Sequence, residues 1–331
     1  MNKGIKPKFL MLLITNNCNL NCVYCYKDKH SKIQDMPFEI AEKSLILAGS
    51  SKNYFHVQLT GGEPLLNPEL IERLAKFIYK KNLTASIGIQ TNGTLLDNAL
   101  INIFKRYKIQ VSISIDGPPE IQEILRDKSN KVFEKLRLLA KNEVPFKVVS
   151  VISNLNINFL PKLLLLLSTF PNFEGIALSL LVKKGQALKN PQIKLPDIKK
   201  FKAILKEFLK TLDLVNRIRL KPVKFRELEI FKNRVEKNLK YPFCFALKGK
   251  SLAVCPDGTL YPCSQTVDDP NFFSGTLEKL NFDGFLALKK ISILCPEDCP
   301  SRTYYNNAEN KKLIHAMHKI FREHLDFGGK N

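Results

Sequence analysis

No stretch of the chain reaches the roughly 18 consecutive apolar residues of a membrane-spanning helix, which excludes a helical integral membrane protein. The apolar run Phe9–Ile14 follows Lys3, Lys6 and Lys8, but it is short for a signal peptide. Thr15-Asn16-Asn17-Cys18 after it offers no small-residue cleavage site, so the expectation is a cytoplasmic protein. Carboxylates are scarce: 31 Asp and Glu stand against 52 Lys and Arg, a net charge of +21 that suits an anionic partner. Residues 183–240 hold 18 Lys and Arg and 6 Asp and Glu. Solvated helix faces in a lysine-rich chain explain that stretch as well as a binding role does. No internal repeat and no low-complexity segment occurs, and no cysteine lies between Cys25 and Cys244.

That last gap divides the eight cysteines into two sets, Cys18, Cys22 and Cys25 at the start and Cys244, Cys255, Cys263, Cys295 and Cys299 in the last third. In a reducing compartment such sets point to metal ligands or catalytic groups rather than disulfides, and their separation points to two sites.

Short apolar or alternating runs recur at Lys8–Thr15, Tyr54–Thr60, Thr84–Thr91, Ile109–Ile115, Phe146–Ser153 and Glu174–Leu181, and predict six strands. Between them, helical patterns start near Pro37, Asn67-Pro68, Asp97, Ser129 and Asn158. Alternation of this kind predicts right-handed βαβ units and a parallel sheet, either doubly wound or an open partial barrel, with its chemistry at the carboxyl ends of the strands. A long helical pattern carries Phe201, Ile204, Leu205, Phe208, Leu209 and Leu212, and Pro256-Asp257-Gly258 predicts a hairpin turn between Ser251–Val254 and Thr259–Pro262. The expected organisation is a barrel over 1–185, a basic helical linker over 186–240, a Cys-rich module over 241–303 and a closing helix over 304–331, with the last residues from Gly328 frayed.

Cys18, Cys22 and Cys25 directly follow the first strand. Three thiolates can hold a [4Fe-4S] cluster by three irons and leave the fourth open, whereas structural zinc normally takes four ligands. A zinc knuckle completed by His30 or a distant residue is the rival for this loop. Thr60-Gly61-Gly62-Glu63-Pro64 ends the second strand, with two glycines that let backbone approach a ligand and a carboxylate able to accept from an ammonium group. Gln90-Thr91-Asn92-Gly93 ends the third strand, and the run Ser112–Gly117, which includes Ser114 and Asp116, ends the fourth.

The Cys-x3-Cys-x2-Cys spacing, with Tyr24 before the last cysteine, resembles the signature of the radical S-adenosylmethionine (radical SAM) superfamily, and Gly61–Pro64 resembles its Gly-Gly-Glu-Pro motif. The resemblance implies a partial (β/α)6 barrel and a [4Fe-4S] cluster on Cys18, Cys22 and Cys25. It also implies reductive cleavage of S-adenosylmethionine to a 5′-deoxyadenosyl radical that abstracts hydrogen from substrate. Thr60, Gly61, Gly62 and Glu63 would hold the amino group, Tyr24 would lie beside the adenine, Ser114 would approach the ribose, and Arg126 would pair with the carboxylate. Asn92 would supply a further polar contact, and Asn154 and Gly185 could line the same site.

Cys244, Gly258 and Cys263 resemble the entry pattern of the auxiliary-cluster modules called SPASM and twitch, small Cys-rich α+β units. With Cys295 and Cys299 they make a ligand set for one auxiliary [4Fe-4S] cluster. Five cysteines here are fewer than the full SPASM pattern carries, so the shorter twitch arrangement fits better. Cys255 either replaces one of the four or is a buried small residue, and a zinc ribbon is the rival for the whole module.

The run from Gly61 to Arg126 looks most like peptide and protein maturases, so oxidation or crosslinking of a peptide side chain is expected. Two departures are visible. Ser264 stands where sulfatase-maturing enzymes place an acidic residue, and only a short stretch precedes the first strand, where many peptide maturases carry a leader-recognition domain. An acidic leader could bind the basic stretch, and electrons would come from a flavodoxin- or ferredoxin-type donor. The alternatives are the same chemistry on a small molecule, such as an amino sugar or tetrapyrrole intermediate, and a zinc-stabilised RNA-binding protein. Nucleic acid is disfavoured, because Phe201, Phe208, Phe225 and Phe231 have core spacing rather than the interleaving a stacking platform needs.

Overall fold

The computed structural model describes residues 5–27, 32–239 and 244–328. His30, the 240/241 boundary and the three residues after Gly328 lie outside them. In chain order the elements begin with β1 (Phe9–Thr15), α1 (Phe38–Gly49), β2 (Phe55–Gly61), α2 (Pro68–Lys80), β3 (Ala85–Thr91), α3 (Asn98–Arg106) and β4 (Gln110–Ser114). There follow α4 (Pro119–Arg126), α5 (Ser129–Lys141), β5 (Phe146–Ile152), α6 (Leu160–Ser168), β6 (Phe173–Leu180), α7 (Gln186–Lys189), α8 (Ile198–Ile218), β7 (Lys224–Phe225) and α9 (Arg226–Glu236). The chain ends with β8 (Ser251–Val254), β9 (Leu260–Tyr261), α10 (Asp283–Ser292), α11 (Pro300–Tyr305) and α12 (Lys311–Gly328). The six expected strands are present, each within a residue or two of its sequence limits.

Residues divide into two compact units, one of 1–19, 29–112 and 243–293, the other of 20–28, 113–242 and 294–331. The chain passes from one to the other inside the cysteine loop and again inside β4.

In the first unit the sheet order is β3-β2-β1-β8-β9. β1 pairs in parallel with β2 on one side and with β8 on the other, with Phe9 level with Ser251 and Leu12 level with Val254. β2 continues in parallel to β3, and only β9 runs antiparallel. The expected hairpin therefore forms, but its first strand joins the sheet beside β1 rather than standing in a separate layer. Leu10, Leu12, Leu13 and Ile14 are buried, as a strand covered on both faces requires. Helix starts follow the capping signals. Asn67 Oδ1 accepts from Leu70 N at 3.2 Å ahead of Pro68, and Asp97 Oδ1 accepts from Leu100 N at 2.8 Å.

In the second unit β5, β6 and β7 are parallel. Residues 186–240 fold into this unit. Phe201, Leu205, Phe208, Leu209 and Leu212 form the buried stripe of α8, and Phe225 on β7 meets both Phe208 and Phe321 edge-on, with ring centroids at 5.2 and 5.5 Å. The lysines of this stretch lie on the other faces, so the phenylalanines are core, as their spacing predicts. Phe208 is fully buried. Phe208→Ala is expected to lower the unfolding free energy by about 3–5 kcal/mol, read from urea denaturation with an unchanged m-value.

Candidate functional site

The first unit builds its part of the site around Glu63. Gly62 N donates to Thr15 O at 2.7 Å and Glu63 N donates to Asn17 O at 2.8 Å, which seats the Gly-Gly-Glu-Pro loop on the backbone leading into Cys18. A Cβ on Gly61, at φ +139°, would strike the Thr15 carbonyl, and one on Gly62 would strike that of Asn17. The glycines are needed for this backbone-to-backbone contact. Glu63 is 1% exposed. Its Oε1 accepts from Leu65 N at 3.1 Å and from the Thr91 hydroxyl at 2.5 Å, and its Oε2 accepts from Asn92 N at 2.7 Å. A buried carboxylate with this set of donors ties the end of β3 to the end of β2.

Asn92 carries the network on to the cysteine loop. Its Nδ2 donates to Asn19 Oδ1 at 2.9 Å, Asn19 Nδ2 donates to Thr94 Oγ1 at 2.8 Å, and Thr94 N donates to Asn92 Oδ1 at 2.9 Å. Thr60 is half-buried, paired in register with Leu13.

The second unit holds the turn from Cys22 to Cys25 around Asp116, which is fully buried. The Tyr24 hydroxyl donates to Asp116 Oδ2. Arg126 Nε donates to the same oxygen at 2.6 Å, and Val151 N donates to Oδ1 at 2.7 Å. Arg126 Nη1 then lies 3.8 Å from Cys22 Sγ, with the guanidinium 5.3 Å from the Tyr24 ring centroid. Burial, partly countered by Arg126 and reinforced by Asp116, pushes the Tyr24 hydroxyl well above its usual pKa, so it stays a donor. Burial alone would lower the pKa of Arg126, but Asp116, Tyr24 and Cys22 outweigh it and hold the guanidinium charged.

Backbone contacts complete the clamp. Val23 N donates to Leu125 O at 3.1 Å, Gln186 N donates to Cys25 O at 2.7 Å, and Asn190 Nδ2 donates to Val23 O at 2.7 Å. Gly185, at φ +60°, lies so close that a Cβ would meet the Cys25 and Tyr26 carbonyls at 2.7 Å.

Several of the expected residues also scaffold one another. Tyr24 packs with Ile121, Leu125, Leu181, Ala187 and Ile193. Arg126 meets Asp116 and Cys22, while Ser114 is half-buried and its carbonyl accepts from Gln122 Nε2 at 3.4 Å. Asn154 is turned to the 190s segment, with Nδ2 on Gln192 O at 3.1 Å and Oδ1 accepting from Lys194 N at 2.9 Å. The supports that sequence reasoning missed are Asn19, Gln122 and Asn156, while Thr91 stands in the motif that ends β3. Asn156 Nδ2 donates to Asp116 O at 2.8 Å, and no local motif announces it.

None of the eight cysteines is in a disulfide. Cys244 is half-buried near the start of β8, where Lys250 N donates to Phe245 O at 2.8 Å. Ser251 Oγ donates to Pro262 O at 2.6 Å, which sets Cys263 at that same end of β8. Cys255 is 6% exposed and follows the other end of the strand. In the second unit Cys295 is fully buried, and Cys299 Sγ lies 3.0 Å from Ser301 Oγ. Arg302 Nη2 pairs with Asp298 Oδ1 at 2.5 Å beside it.

Among the described residues no three His, Cys, Asp or Glu side chains converge on a single metal ion, a requirement that does not apply to a cluster whose thiolates each take a different iron. The donor set fits such a cluster: three cysteines in one loop, one of them beside a charged guanidinium, the surroundings that favour a thiolate ligand. No described helix is long and apolar enough to cross a membrane.

The radical SAM superfamily model matches residues 12–159. An uncharacterized protein of Methanocaldococcus jannaschii, MJ0907, is 31% identical over 77% of this chain and 84% of its own. GTP 3′,8-cyclase of Clostridium perfringens is 28% identical over 78% of this chain and 81% of its own. The anaerobic sulfatase-maturating enzyme anSMEcpe, solved with AdoMet and Cp18Cys peptide, superposes with a TM-score of 0.71 at 20% identity, covering 96% of this chain and 99% of that one. With this α/β fold and this cysteine loop, the chain belongs to the radical SAM superfamily. A [4Fe-4S] cluster and S-adenosylmethionine are accordingly its cofactors.

Proposed function

We propose that this chain is a maturase that uses radical chemistry to oxidise or crosslink a side chain of a peptide or protein. Cys18, Cys22 and Cys25 ligate the first cluster, and S-adenosylmethionine is held by Thr60, Gly61, Gly62, Glu63 and Asn92 together with Tyr24, Ser114 and Arg126. When bound, the cluster supplies the electron that cleaves S-adenosylmethionine to the 5′-deoxyadenosyl radical. The observation that carries the reading is the buried Asp116–Arg126–Tyr24 network ending 3.8 Å from Cys22 Sγ.

That network fixes the turn between two ligands and keeps a positive charge beside an anionic site. Glu63 also holds the Gly61-Gly62 backbone against the cysteine loop, through the donors Leu65 N, Thr91 Oγ1 and Asn92 N. A peptide substrate is favoured by the likeness in fold to anSMEcpe, which was solved with a peptide. The similarity to GTP 3′,8-cyclase supports a second reading, a small-molecule substrate.

Cys244, Cys263, Cys295 and Cys299 ligate one auxiliary [4Fe-4S] cluster. Cys255 follows the far end of β8 from Cys244 and Cys263, roughly 13 Å away at about 3.3 Å per residue, and its burial supports reading it as a small core residue. Protein reconstituted anaerobically with iron and sulfide is expected to be brown, to bind about eight irons from two four-iron clusters, and to yield 5′-deoxyadenosine when reduced with dithionite. Changing Cys244 or Cys263 to alanine should remove about half the iron and spare that cleavage. A zinc-only preparation that makes no 5′-deoxyadenosine overturns the reading. Mass spectrometry of candidate peptides, scored for loss of two hydrogens or a new crosslink, tests the substrate class.

A further inference from the structure

The loop that joins α8 to β7, in the second unit, carries the most exposed large apolar side chain among the described residues. Leu220 is 104% exposed, Ile218 76% and Leu214 56%. Leu214 and Ile218 stand one turn apart on α8, off its buried stripe, and lead directly to Leu220. Two clamps fix the loop. Arg219 Nη1 donates to Ser168 O and, at 3.0 Å, to Phe170 O; its Nη2 donates to Pro171 O at 3.1 Å and to Phe173 O at 2.9 Å. Arg219 Nε donates to Lys221 O at 3.3 Å, across the tip itself. Asn216 Nδ2 donates to Val223 O at 3.1 Å, and Asn216 Oδ1 accepts from Val223 N at 2.7 Å. Leu220 is thus held out in water on a preorganised turn, with little backbone entropy left to lose when it is covered.

Cations surround the tip. Residues 214–224 contain Arg217, Arg219, Lys221 and Lys224 and no Asp or Glu. Arg217, Lys221 and Lys224 are exposed, as is Lys210 one turn before Leu214, and among the described residues none of these four has an ion pair. Asp213 Oδ1 lies 3.5 Å from His324 Nε2 on α12. Counting the nearby Glu207, Asp213 and Glu174 against Lys210, Arg217, Arg219, Lys221 and Lys224 still leaves +2. Protruding aliphatic side chains inside a cationic collar have the composition of an interfacial lipid contact: the apolar groups enter the headgroup boundary and the cations meet anionic lipid. A stable protein interface takes roughly 20–30 residues a side, far more than this tip offers.

We infer that this tip docks the protein reversibly on an anionic phospholipid surface, with Ile218 and Leu220 inserted at the headgroup boundary and Arg217 and Lys221 beside lipid phosphates. The tip adjoins Phe173, where β6 begins. β6 ends at Leu180, roughly 23 Å away at about 3.3 Å per residue, and the chain then runs to Gln186, whose N donates to Cys25 O at 2.7 Å. Tip and cysteine loop therefore lie at opposite ends of β6, and docking leaves the loop's end uncovered. The contact involves neither cluster and stands whether the substrate is a peptide or a small molecule.

The test uses the full chain and sucrose-loaded vesicles of phosphatidylcholine, alone or with about 30% phosphatidylglycerol, sedimented at about 50 and about 300 mM salt. Wild type is compared with Ile218→Ser/Leu220→Ser, with Arg217→Glu/Lys221→Glu and with a Lys199→Glu/Lys202→Glu control at the other end of α8. The expected result is binding to the anionic vesicles only, weakened by salt, cut at least about tenfold in the first two variants and unchanged in the control. The chain has no tryptophan, so Leu220→Trp gives a single reporter. Its emission should shift to the blue on anionic vesicles and be quenched by brominated lipid, while Tyr79→Trp, on α2, shows neither. No vesicle binding, equal binding by Ile218→Ser/Leu220→Ser, or an unshifted Leu220→Trp emission overturns the docking site. A blue shift of Leu220→Trp without vesicles that grows with protein concentration also overturns it, in favour of contact between copies. So does salt-sensitive binding of a short RNA, lost in Arg217→Glu/Lys221→Glu, by a chain that leaves vesicles unbound.

Discussion

Cys22→Ala is expected to bring 5′-deoxyadenosine formation to background and to remove the iron of one four-iron cluster. The loop offers three thiolates and no spare, and a three-ligand site that loses one cannot keep its open iron in a defined place. Cys22 is the most informative of the three because its sulfur is the one beside Arg126. The fold should survive, since Arg126 keeps Asp116 as its partner. Chromatography of the nucleoside product, iron analysis and a thermal melt on the same sample check the three parts. Undiminished cleavage with a full iron complement would show that the loop is not the ligand set.

Asp116→Ala should be the most damaging single change to stability outside the apolar core. It strips the carboxylate from Tyr24, from the Arg126 guanidinium and from Val151 N, and leaves a buried cation without its counter-charge. Breaking such a pair costs about 3–5 kcal/mol. Removing both charges together with Asp116→Asn and Arg126→Gln should recover part of that loss, because the orphaned charge goes while most of the volume stays. Urea denaturation of the two variants decides the matter. A single variant as stable as wild type would mean the network does not hold the turn.

Much of this could be seen in the residues themselves. β1 to β6 announce themselves as apolar or alternating runs, and the starts of α2 and α3 carry an Asn or Asp that caps them. α4 was hidden because Pro118-Pro119 looks like a turn, although proline at the first helical position is compatible with a helix. β7 is two residues long and has no periodicity to detect. The pairing of β8 with β1 joins residues more than 240 positions apart, which no local pattern encodes.

The same division runs through the site. The cysteines, Gly61-Gly62 and Glu63 stand out as motifs, but their partners are distant: Tyr24 finds Asp116 across 92 residues and Glu63 finds Asn92 across 29. Burial adds a role to Glu63 that its motif does not announce, since its carboxylate also accepts from Leu65 N, the Thr91 hydroxyl and Asn92 N and so staples β2 to β3.

The place of β8 beside β1 has a consequence for biosynthesis. At about 5–20 residues per second, β8 leaves the ribosome roughly 12–48 seconds after β1. Until then one edge of a strand as apolar as Phe9–Leu13 has no partner, and an open apolar edge invites association with other chains. The nascent protein therefore has reason to need a chaperone during most of its own translation, the more so the slower its synthesis.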